Sequence, residues 1–183
     1  MERRTFMLAL AAAIAAPALA SAQQMPSSGT IMRRLEAAPA SPLPPRSRVD
    51  FNEFQRRPEL RRRAPSIDIQ SINFAFGSAD IPRSEYGKVR EIGLALERIL
   101  MRRPRALFLI EGHTDAVGTD SANLALSRAR AASLKHLLTR QFAISPRALK
   151  TVGYGERDLL VPTQREEWRN RRVTLRRIDD FIR

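Results

Sequence analysis

Residues 106–130 read ALFLIEGHTDAVGTDSANLALSRAR, and the parsing of this stretch settles the architecture. Ala106 to Ile110 is a compact apolar run bounded by Pro104 and Gly112, the pattern of a strand buried on both faces. A loop bounded by Gly112 and Gly118 follows. A helix is then predicted from about Ser121 to Arg140, with Asp120 as its expected N-cap.

Working upstream, Val89, Ile92, Leu96, Ile99 and Leu100 recur at helical spacing after a possible cap at Ser84 and stop at Pro104. Before them Ile67, Ile69, Ile72, Phe74 and Phe76 alternate with other residues, which predicts a strand ended by Gly77 and Ser78. A strand, a helix and a buried strand make a βαβ unit. Downstream, a short strand is predicted over Leu149 to Tyr154 and a last one over Arg172 to Ile178, separated by a loop with Gly155 and Pro162. The order β-α-β-α-β-β implies an α/β sandwich, with both helices packed on one face of a small mixed sheet.

The flanks read differently. Met1 to Ala22 has Arg3 and Arg4, an apolar run from Phe6 to Leu19 and the small residues Ala20, Ser21 and Ala22, the pattern of an export signal rather than a membrane span. The Sec and twin-arginine routes both fit it, and both end outside the cytoplasm. Residues 23–65 are rich in Pro, Ser, Ala and Arg with no sustained apolar period, so a disordered linker is expected there and a folded domain over 66–180. The arm is too short for an outer-membrane barrel. Its Arg56, Arg57 and the run Arg61 to Arg63 read as a solvated charge run or a contact for anionic headgroups. The arm is expected either to float freely or to dock on another envelope protein.

The formal net charge is +13, nearly all of it from arginine, and there is no cysteine. Disulfides, thiolate metal sites, a cysteine nucleophile and a lipid-carrying cysteine are thereby excluded. The basic balance suits a polyanion such as lipopolysaccharide. Nucleic acid is not expected, because export and the lack of aromatics interleaved with basic residues argue against it. Neither paired carboxylates in a motif nor a serine-histidine-aspartate arrangement is recognisable, so no catalysis is expected. His113 and Asp115 alone make a poor metal signature, and no cofactor is implied.

The loop Gly112-His113-Thr114-Asp115-Ala116-Val117-Gly118 leads into a helix whose Asn123, Ser127 and Arg130 share one stripe. Spacing alone fits a merely wet helix face. The place, after a buried strand and at a helix N-terminus, is where α/β folds hold ligands. This stretch, together with Val152-Gly153-Tyr154-Gly155-Glu156 and Asn170-Arg171-Arg172-Val173, resembles the signature of the OmpA C-terminal-like family over about 110 residues.

The resemblance implies non-catalytic binding of peptidoglycan through the diaminopimelate residue of its peptide stem. It also implies a periplasmic location, with a peripheral station at the outer membrane as one option and no integral membrane span. The family's ligand-binding aspartate and arginine fall on Asp115 and Arg130, with lesser roles for Thr114, Asn123, Leu126, Arg172 and Phe76. The chemistry is coherent: the end of diaminopimelate carries an ammonium, which Asp115 can accept, and a carboxylate, which the Arg130 guanidinium can fork onto. His113 is expected to order the loop. Two departures stand out, since Glu167 replaces a common arginine beside the unusual Trp168, and Leu159 stands where a proline is common. The loop from Leu159 to Glu167 is therefore expected to be remodelled.

Overall fold

The computed structural model describes residues 24–70, 72–74 and 77–183; the expected export signal and Phe76 lie outside the described residues. In chain order the helices are α1 (Ser28–Glu36), α2 (Phe51–Arg56), α3 (Pro58–Arg63), α4 (Tyr86–Arg102) and α5 (Asp120–Phe142). The strands are β1 (Ser66–Ile69), β2 (Phe108–His113), β3 (Leu149–Gly155) and β4 (Val173–Arg177), in sheet order β1-β4-β2-β3. β2 and β3 are parallel, whereas β4 runs antiparallel to both of its neighbours. Among the described residues no helix is long and apolar enough to cross a membrane.

The expected α/β sandwich is what forms. Phe108 and Ile110 of β2 and Val173 and Leu175 of β4 point to one side, where α4 supplies Ile92, Leu96 and Ile99 and α5 supplies Leu134 and Leu138. Leu109 points to the other side, against Phe54, Leu60, Ile178 and Phe181. Every residue of β2 and β4 is buried because both faces are covered.

The cover on the second face corrects the expectation of a disordered linker over 23–65. Helix α1 lies along α4 and buries Ile31 and Leu35 completely, while α2 and α3 bury Phe54 and Leu60 beneath the sheet. Each such side chain contributes roughly 1.5–3 kcal/mol. The periodicity is invisible because α2 and α3 are 6 residues each and bury one or two side chains apiece. Arg61, expected in a solvated or lipid-facing run, is only 6% exposed.

Three smaller expectations also change. The first strand stops at Ile69 rather than Phe76, its last pairing being Ile69 with Val173, the first residue of β4. Helix α4 begins after a 3-10 turn, Arg83–Glu85, and Ser84 does not cap it. Thr119, not Asp120, caps α5, its hydroxyl accepting from the Ala122 amide.

Candidate functional site

The site begins with glycines that let α5 lie on the sheet. A Cβ on Gly112 would come within 2.1 Å of the Ser127 carbonyl oxygen, and one on Gly153 within 2.4 Å of the Arg128 nitrogen. The close approach lets Ser127 Oγ accept from the Gly155 amide at 2.9 Å while donating to the Leu124 carbonyl at 2.9 Å. Ser127 and Asn123 are thus buried fixtures rather than a wet stripe.

Asn123 then locks the loop ahead of it. Its Nδ2 donates to the Val117 carbonyl at 3.2 Å and to Glu156 Oε2 at 2.6 Å. The Thr114 amide donates to the Gly155 carbonyl at 3.0 Å, and the Thr114 hydroxyl is buried without a partner. Held at both ends, the loop presents Asp115, 7% exposed, to Arg171, whose Nη1 donates to Oδ2 at 2.7 Å.

One turn beyond Ser127, Arg130 reaches back over the same end of the sheet. Its Nε donates to the Ser78 carbonyl at 3.1 Å, and its guanidinium lies 4.8 Å from the centre of the Phe74 ring. Burial and the neighbouring Arg171 depress the Arg130 pKa, with Asp115 opposing them. Asp115 and Arg130 therefore share one electrostatic neighbourhood without an ion pair between them.

A cleft of about 400 Å³ opens here, lined among others by Gln70, Asn73, Phe74, Arg130, Trp168 and Arg171. Lys88 and Arg172 also line it, but Lys88 pairs with Glu85 at 2.8 Å and Arg172 with Asp68 at 3.3 Å. Arg171 is engaged by Asp115. Arg130 is the one cleft cation without an acidic partner among the described residues.

Of the expected site residues, Arg130 and Arg172 line the cleft, and Asp115 meets it through Arg171. Thr114 and Asn123 build the loop. Leu126 is half-buried, neither in the core nor on the cleft, and Phe76 lies outside the described residues. Arg171, Trp168 and Glu156 were not expected. A signal for Arg171 existed: counting by twos from Val173 and Leu175, the helix-covered face, reaches Arg171, whereas Arg172 shares parity with Thr174 and Arg176 on the opposite face.

That opposite face carries a second polar cluster. Arg176 donates from Nε and Nη2 to Glu111 at 2.9 and 3.0 Å, Arg61 Nη1 stands 3.8 Å from the same carboxylate, and Arg61 lies 4.0 Å over the Tyr154 ring. Burial pushes the Glu111 carboxyl up, but neighbouring His113 and the Arg176 fork more than reverse this and hold it at about 2. His113 is fully enclosed, and burial lowers its pKa while the Glu111 carboxylate opposes that shift. Among the described residues no group of three His, Cys, Asp or Glu side chains is placed to hold a metal ion. The loop from Leu159 to Glu167 is stapled by Asn170, whose side chain bonds both the amide and the carbonyl of Val161 at 2.9 and 2.8 Å.

Comparison with known proteins agrees with this architecture. Residues 73–172 match the family model described as OmpA family. Outer membrane porin F of Pseudomonas aeruginosa is 30% identical over 104 residues, which is 56% of this chain and 29% of that protein. The peptidoglycan-associated lipoprotein of the same organism is 39% identical over 71 residues, 38% of this chain and 42% of the relative. The chain thus spans well under half the length of these relatives. Among solved structures, the cell wall anchor of the T6SS from Pseudomonas aeruginosa superposes with a TM-score of 0.50 at 24% identity, over 61% of this chain and 79% of that one. The periplasmic domain of Helicobacter pylori MotB gives 0.50 at 20% identity, over 61% and 74%. These two likenesses concern the fold.

Proposed function

Because the chain belongs to the OmpA family, we propose that it is a non-catalytic, periplasmic peptidoglycan-binding protein that holds the diaminopimelate residue of the peptide stem and anchors part of the cell envelope. The observation that carries the reading is Arg130, a guanidinium with no acidic partner among the described residues, on a cleft whose other basic side chains, Lys88, Arg171 and Arg172, each have one. A ligand carboxylate supplies what Arg130 lacks, and the ligand ammonium takes the Asp115 oxygen that Arg171 leaves open. That a relative 39% identical over 71 residues is a peptidoglycan-associated lipoprotein supports the reading.

The test is co-sedimentation of the protein with purified diaminopimelate-type sacculi, followed by calorimetric titration with the stem peptide and its lysine analogue. Arg130→Ala and Asp115→Asn each leave one charge of the bound zwitterion unmatched, at a cost of about 2 to 5 kcal/mol. Even the lower end reduces affinity more than tenfold. Unchanged pelleting of both variants would refute the assignment. The rival reading, a basic protein held by anionic polymers such as lipopolysaccharide, predicts instead a steep loss of binding between low and moderate salt and indifference to Arg130→Ala.

A further inference from the structure

The cleft is larger than the end of one amino acid requires. At about 400 Å³ it falls in the range that encloses a whole small-molecule ligand, and its lining includes Trp168, the chain's single tryptophan. Trp168 sits in a turn that the fold holds firmly. The Glu167 carboxylate grips the Arg169 guanidinium with two contacts of 2.9 Å, the Asn170 amide donates to the Glu167 carbonyl at 3.0 Å, and the Arg171 amide donates to the Trp168 carbonyl at 3.1 Å. The same lining carries two side-chain amides. Gln70 spends its Nε2 on the Arg169 carbonyl at 3.3 Å and keeps its oxygen free, and the exposed Asn73 side chain has no partner among the described residues.

A flat half-buried indole beside free amides is the chemistry that receives a sugar ring. A pyranose offers a face of C–H bonds for the indole and a rim of hydroxyl and acetamido groups for Gln70 and Asn73. We propose that Trp168, with Gln70 and Asn73, forms a saccharide subsite that takes a sugar of the glycan strand next to the stem held at Arg130. This rests on the wall-binding reading above.

The experiment uses the full chain, whose tryptophan emission reports on this one place. Stem peptide alone and the same peptide carried on its disaccharide are titrated separately. The disaccharide form should bind about fivefold more tightly and shift the emission. Trp168→Ala should abolish that advantage, bringing the two ligands to a common affinity by a loss confined mainly to the disaccharide form, and Trp168→Tyr should restore most of it. Equal affinities for both ligands in the native chain, or an equal loss for both in Trp168→Ala, would overturn the subsite. If neither ligand binds the native chain, the wall-binding reading itself fails.

An independent observation concerns the opposite pole. Helix α4 has 17 residues, about 25 Å of rise, so its C-terminal end is far from the cleft. There Met101, 70% exposed, is surrounded by Arg98, Arg102, Arg103 and Arg105. Helix α1 lies parallel to α4, with the Ser28 amide on Glu91 at 2.6 Å and Glu36 on Arg102 at 3.1 Å, and so brings the exposed Arg33 and Arg34 to the same pole. Arg98, Arg103 and Arg105 have no side-chain partner among the described residues, although the chain has 19 acidic side chains. An exposed apolar side chain among cations, three of them without an acidic partner among the described residues, matches an anionic bilayer surface, headgroup phosphate outside and acyl chain beneath. The geometry points to this pole as a docking face for anionic phospholipid.

Vesicles of phosphatidylcholine with about one third phosphatidylglycerol should pellet the full chain at low salt and release it at high salt. Joint replacement Arg98→Glu, Arg103→Glu and Arg105→Glu should abolish pelleting. The same change in charge made at the exposed Arg56, Arg62 and Arg165 should leave most of it. Equal loss from both triple variants would show net charge alone at work and overturn the face.

Discussion

Glu111 and Asp115 stand four residues apart, and each is met by an arginine from the chain segment that forms β4, yet the two pairs do opposite things. Glu111 is fully buried, both its oxygens are taken by the Arg176 fork, and Arg61 closes the cluster from the docked arm. Asp115 has one oxygen on Arg171, whose side chain is 43% exposed, and beside it Arg130 has no acid at all. A saturated pair can only hold the fold, while an unsaturated one has capacity left for a ligand. Glu111 and Arg176 lie within β2 and β4, whereas Asp115 stands in the loop beyond β2 and Arg171 two residues ahead of β4, so the second pair falls at the open end of the sheet.

The largest expected effect comes from breaking the saturated pair. Glu111→Gln leaves the Arg176 guanidinium buried without its anion and should cost about 3–5 kcal/mol in urea unfolding. Replacing both, Glu111→Leu with Arg176→Met, should recover most of that loss, because the desolvation penalty disappears with the charges. If Glu111→Gln unfolded no more easily than the native chain, the second face would not be the closed cluster described.

The same pair predicts a pH dependence. Glu111 is held at about 2 in the folded chain against an ordinary 4.5, so its folded pKa is depressed. The stability it confers is fully present above pH 4.5 and is lost as pH falls toward 2. The amount at stake is on the order of 3 kcal/mol, and Glu111→Gln should flatten the unfolding free energy across that window. A slope identical in the native and Glu111→Gln chains would assign the acid sensitivity to other groups.

How much of this the sequence revealed follows from the same contrast. The element order was legible because Phe108, Ile110, Ile92 and Leu96 belong to long periodic segments that bury one broad face. The loop and its Asp115 and Arg130 were legible through spacing on a single loop and helix. The arm was not, since its buried side chains arrive singly from short helices and depend on a sheet face that no local pattern announces. Arg61 was read with its neighbours as a charge run, although burial against Tyr154 and Glu111 is decided by partners about 50 and 90 residues away. Arg171 was hidden for another reason: beside Arg172 it looks equivalent, and only the alternation carried forward from β4 tells them apart.

Arg171 gives the smallest and most discriminating perturbation. Arg171→Met removes an ion pair that water already screens on one side, so its stability cost should stay under about 1 kcal/mol. Retention on sacculi should fall only about threefold, less than for Arg130→Ala, because Asp115 keeps its place through the loop bonds of Asn123 and Thr114 while losing one oriented contact. Should Arg171→Met instead unfold the chain as readily as Glu111→Gln, the Asp115 pair would be as closed as the Glu111 pair. The cleft would then have no acid to spare for an ammonium.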